Sequence, residues 1–199
     1  MPSTPDPGTG TPPQRWTRAT ASSDLWVDEA DDPRASGGPA GTDERSVLAD
    51  YLRRYRLTLE LKCADLDAEQ LARRSVPPST MSLLGLVRHM ADVERSWFRR
   101  TMAGQHPPAL FRTGEDRDAA FNHARPDPEQ VTRAWTVWRE EVAFAERYVA
   151  EAPDVDVVGD HHGEPVSLRE VLVHMVEEYA RHNGHADLLR ERIDGRTGQ

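Results

Sequence analysis

Four stretches of this chain repeat apolar residues at intervals of three and four, and that period commits each to an α-helix with one buried face. The first spans about 43–66, with Leu48, Tyr51, Leu52, Tyr55, Leu59 and Leu61 as its stripe. The second opens at Thr80 or Ser82, either of which can cap it, and runs to about Met102, with Gly104 as terminator. The third starts at Asp127 with Pro128 in its first turn and carries Val131, Trp135, Trp138, Val142, Ala145 and Val149 on one side. The fourth begins at a capping box, Ser167 to Glu170, and ends at Gly195. A short helical piece, 67–74, precedes the breaker VPPST. Residues 104–126 hold several breakers and read as a long irregular crossover, and VDVVGDHHGEPVSL reads as a turn-rich arm or small hairpin. No segment patterns as a central strand, so the expected architecture is all-α, a four-helix bundle.

Composition divides the chain in two. Residues 1–42 hold seven prolines and five glycines without apolar period, and predict a mostly disordered tail. Trp16, Leu25, Trp26 and Val27 are the exceptions that could dock part of it on the bundle domain, 43–196. The net charge of −9 argues against general nucleic-acid binding, although a local basic patch exists near Arg95, Arg99 and Arg100. Cys63 is the only cysteine, so neither an internal disulfide nor a thiolate metal cluster can form within one chain. It reads as a packing residue. The start MPSTPDPGTG has no signal-peptide pattern, and no apolar run approaches the ~20 residues of a membrane span. These features predict a cytoplasmic protein without a membrane partner. A homodimer through exposed bundle faces is compatible with the pattern.

The fourth helix carries His174, Glu178, His182 and His185 at intervals of 4, 4 and 3 residues, all on one side. With His174 at zero and about 100° per residue, Val171, Met175, Leu189 and Ile193 fall between about 60° and about 100°. His182, near 80°, lies inside that apolar arc, and Glu178, near 40°, lies at its margin (~100° per residue). An ionised carboxylate at a core margin needs compensation. An ion pair with a protonated histidine is one solution, and a metal shared with it is the other. A third ligand would have to come from another helix. His89, beside the stripe of Leu86, Met90, Val93 and Trp97, has that position on the second helix. Two imidazoles and one carboxylate suit a divalent metal with a coordination position left open; zinc, nickel and iron overlap in such preferences. His185 reads as a substitute ligand or a supporting residue, and His174 as a helix-edge residue. His161 and His162 read as solvated turn residues, His106 and His123 as loop residues, and Glu140 with Glu141 as a solvated helix face.

The segments SLLGLVRHMADVERSWF and VLVHMVEEYARHNGHADLLRERIDG together resemble the DinB/YfiT-like superfamily over about residues 43–196. The branch most similar is that of actinobacterial thiol-dependent transferases and mycothiol-dependent maleylpyruvate isomerase. The resemblance implies a metal held by His89, Glu178 and His182. Many members have histidine where this chain has Glu178, and the isomerase resembles it in using glutamate. The implied function is a metal-dependent transferase or isomerase, with zinc foremost, that activates a low-molecular-weight thiol such as mycothiol for attack on a small electrophile. Arg95 or Arg190 could receive an anionic substrate. Two other classes stand beside it: a non-catalytic, stress-related metal- or ligand-binding bundle, and a metal-dependent hydrolase.

Overall fold

The computed structural model describes residues 32–197. The expectations for residues 1–31, including docking of Trp16, Leu25, Trp26 and Val27, lie outside the described residues. Helix α1 (Glu44–Cys63) is capped by Asp43, whose carboxylate accepts from the Ser46 amide. The short α2 (Ala68–Ala72) opens on a capping box between Asp67 and Gln70. Helix α3 (Leu83–Glu94) starts at Ser82, one of the two expected caps. Helix α4 (Ala119–Asn122) interrupts the crossover, and α5 (Pro128–Glu151) follows Asp127. Strands β1 (Val158–His161) and β2 (Glu164–Ser167) pair antiparallel in a small hairpin. Helix α6 (Leu168–Asp194) carries the expected capping box and ends at Gly195, whose φ of +78° is the left-handed conformation glycine adopts without penalty.

Four long helical segments enclose the core. Helix α1 packs along α6, α3 packs along α5, and α3 also meets α6. Leu59, Leu83, Leu86, Met90, Phe98, Leu172 and Met175 are fully buried between them. Each such side chain contributes about 1.5–3 kcal/mol of transfer free energy.

The second helix departs from expectation in its final turns. From Arg95 to Met102 its hydrogen bonding widens to the π pattern, and the Ala103 amide donates to the Phe98 carbonyl five residues back. Nothing in the apolar period announces this. Phe98 and Met102 stay buried, while Trp97, Arg100 and Thr101 turn toward a cleft.

Several charged residues lie where periodicity predicts none. Tyr51, assigned to the α1 stripe, is 53% exposed, whereas Arg56 and Lys62 on the same helix are buried. Lys62 forms an ion pair with Asp187 of α6. Arg56 meets Glu94 through two charged hydrogen bonds of 2.8 and 2.7 Å. The Tyr179 hydroxyl donates to Glu94 at 2.8 Å, and the Trp138 indole N–H donates to Tyr179 at 2.8 Å. This chain of bonds ties α1, α3, α5 and α6 together in the buried interior. Glu141 corrects a second expectation: it is 1% exposed and accepts from Arg95 and Arg99. A buried carboxylate is tolerated because both cations come from the facing segment.

The crossover is irregular, as expected, but it is pinned. Asp92, buried on α3, accepts from the amides of Leu110, Phe111 and Arg112 at 2.7, 3.0 and 2.9 Å. Arg88 donates to the carbonyls of Ala119 and Ala120. Residues 32–34 are held against α1, where Arg53 and Arg54 donate to the Arg34 carbonyl.

Candidate metal centre

His89 comes from α3 and Glu178 and His182 from α6, and the contact of these two helices brings the three together. One donor atom from each lies within 4.8 Å of the others. His182 Nε2 and Glu178 Oε2 are 3.3 Å apart, already the separation of two ligands about 2.1 Å from one ion. The His89 and His182 rings meet edge to face with centroids 4.7 Å apart. Side-chain exposure is 34% for His174, 26% for Glu178 and 12% for His182, the order the helical wheel assigns.

The electrostatics favour an unprotonated donor set. Burial, and then the neighbouring His182, push the His89 pKa down to about 4. His89 therefore keeps a free lone pair at neutral pH. Glu178, bonded to His182, is held below the usual carboxylate range. His185 Nδ1 lies 3.3 Å from His182 Nδ1. With Nε2 given to an ion in place of Glu178, the His182 Nδ1 would carry the proton and His185 would accept it. Burial lowers the His185 pKa and so preserves that acceptor. Two imidazole nitrogens and a carboxylate oxygen at these separations fit a divalent cation.

The centre opens on a cleft of about 850 Å³ walled by α3, the π segment, the crossover, the hairpin and α6. His174, expected at the helix edge, lines this cleft, 3.5 Å from Glu178 Oε1. His161 corrects the reading of a solvated turn residue. It stacks on Trp97 with centroids 4.5 Å apart and planes 14° from parallel, and its Nδ1 is 3.4 Å from Thr101 Oγ1. No local signal could reveal this, because the partner ring belongs to a distant helix. His162, exposed, and His106 also reach the cleft, whereas His123 sits 3.7 Å from Asp116. Gly159 lets the hairpin press directly on the π segment. A Cβ there would overlap the Thr101 carbonyl group and come within 3.0 Å of Met102 Cα. Sequence reasoning also missed Asp92, three residues after His89, whose task of holding the crossover appears only in three dimensions.

Neither arginine expected to receive a substrate is placed to do so. Arg95 is committed to Glu141 and the Pro108 carbonyl. Arg190 is buried and donates to Asp194 and to the carbonyls of Lys62 and Ala64. Cys63 is buried, and desolvation pushes its thiol up to about 12, so it is packing material and not a nucleophile.

Fold and site together define an all-α protein with a His–Glu–His donor group on the wall of an open cleft. Residues 47–195 match the mycothiol-S-transferase family, and the chain belongs to that family, within the DinB/YfiT-like group. A crystal structure of a conserved protein from Enterococcus faecalis shares the fold, with a TM-score of 0.55 at 17% identity, over 78% of this chain and 100% of that one. No curated protein matches the chain. Among the described residues no helix is long and apolar enough to cross a membrane.

Proposed function

We propose that this chain is a metal-dependent S-transferase of the four-helix-bundle type, formed by residues 43–196. It joins a low-molecular-weight thiol, mycothiol foremost, to a small electrophile. The observation that carries this reading is the convergence of His89, Glu178 and His182 at the edge of an 850 Å³ cleft, in a chain of the mycothiol-S-transferase family.

His89, Glu178 and His182 would hold the ion, zinc first and nickel or iron as substitutes. A bound divalent cation supplies Lewis acidity that lowers the pKa of a thiol, and the thiolate is the nucleophile. The chain's own residues prepare the place. His89 stays unprotonated because it is buried, and Glu178 stays ionised beside His182. His185 orients His182. Asp92 holds the crossover that forms the far wall, and the hairpin forms a side wall braced by the stack of His161 on Trp97.

The test joins elemental analysis of freshly purified protein to a conjugation assay with mycothiol and monochlorobimane. The expected result is near-stoichiometric metal, conjugation above the uncatalysed rate, and loss of both in His182→Ala. Absence of metal, together with no gain on adding zinc, nickel or iron, rejects the proposal.

A further inference from the structure

Three carboxylates and three guanidiniums line the cleft, and they are not paired with one another. Its three carboxylates are each engaged by protein donors. Asp92 takes three crossover amides, Glu178 faces His174 and His182, and Asp160 accepts from the Gly163 amide at 3.1 Å. Among the described residues, none of its three guanidiniums forms an ion pair. Arg100 donates through Nε and Nη2 to the Pro107 carbonyl at 3.1 and 2.7 Å, a neutral acceptor that aims the group without cancelling its charge. Arg112 and Arg117 line the same cleft, and among the described residues neither has an ion-pair partner.

A guanidinium stays charged across the whole physiological range and binds carboxylates through a rigid fork of donors. Arg100 stands on the π segment, which widens the helix at this wall. Arg112 stands on the stretch that Asp92 clamps, so its backbone is anchored. The molecule as a whole carries −9, which repels small anions from most of its surface. Three guanidiniums outside any ion pair among the described residues give small anions one place to bind on such a molecule.

We infer that the electrophile enters as an anion, a small molecule bearing a carboxylate that Arg112 and Arg117 receive, with Arg100 beside them. This rests on the transferase reading and assigns the class of its second substrate.

The test compares bromoacetate with bromoacetamide, nearly equal in size and different in charge, as partners for mycothiol in the metal-loaded protein. In each reaction a sulfur–carbon bond forms, the carbon–bromine bond breaks, bromide leaves with the bonding pair, and the thiol proton passes to solvent. Each rate is divided by its uncatalysed rate. The buried Cys63 thiol, pushed up to about 12, does not compete for the reagent.

The expected result is a preference for bromoacetate of about tenfold or more that shrinks with added salt. In R112Q/R117Q, kcat/KM for bromoacetate falls about tenfold more than that for bromoacetamide, and R112K/R117K retains part of the preference. Equal normalised rates, or equal losses for both reagents in R112Q/R117Q, overturn the inference. A second arm needs no turnover: ligand-observed NMR with succinate and succinamide. Succinate binding that R112Q/R117Q abolishes supports the anion site even if neither bromide is consumed, an outcome that would defeat the transferase reading alone. No binding of succinate defeats the anion site.

Discussion

His89 carries the clearest consequence at the scale of a single side chain. Its ordinary pKa of 6.5 is depressed to about 4 in the folded protein. Between those values the unfolded chain binds a proton that the native state refuses, so stability rises with pH there and is lost as pH falls. The gap, at about 1.4 kcal/mol per pH unit, bounds the effect at about 3.5 kcal/mol. Urea unfolding of metal-free protein at pH 7 and pH 4.5 measures it, and His89→Phe should flatten the difference. His185 makes a separate prediction. Its Nδ1 orients His182 and is not one of the three grouped donors, so His185→Phe should weaken metal affinity about 10–100-fold while leaving the fold intact. Chelator competition reads this out, and an unchanged affinity would remove His185 from the site.

Among the helices, the buried bonds from Arg56 through Glu94 and Tyr179 to Trp138 reach every long segment. Glu94→Ala leaves the Arg56 charge inside without its bidentate partner, and should cost about 3–5 kcal/mol in chemical denaturation. Tyr179→Phe breaks two hydrogen bonds with almost no change of volume and should cost about 1–3 kcal/mol. The hairpin is a second element with a defined seat. In Gly159→Ala the new methyl group meets the π-segment backbone, so the hairpin must lift and the ring stack of His161 on Trp97 must open. Faster amide exchange in 158–167, with α1 and α5 unchanged, is the expected signature.

For the whole molecule, the proposed site would link ion binding to folding. A cation that joins α3 to α6 binds only the assembled state and stabilises it by about 2.7 kcal/mol at a concentration a hundred times its Kd. The melting temperature should rise with added zinc, fall back with chelator, and lose this response in His182→Ala. A melting temperature indifferent to metal in the wild type would separate the donor cluster from any ion.

Helix boundaries were legible in the sequence because they depend on neighbours along the chain. Ser82, Asp127, the Ser167–Glu170 box and Gly195 act within one turn, through side chains and backbone that are local to each end. The grouping of His89 with Glu178 and His182 was half legible. The wheel puts His182 inside the apolar arc and Glu178 at its margin, and His89 stands beside the stripe of its own helix, but only the contact of α3 with α6 sets their separation. The burial of Glu141, the π turns after Glu94, the clamp of Asp92 on the crossover and the seat of His161 had no local signature. Period reports which face of a helix is apolar. It says nothing of which opposite charge or ring from elsewhere in the chain will lie against the exceptions, since that depends on the packing of the helices upon one another.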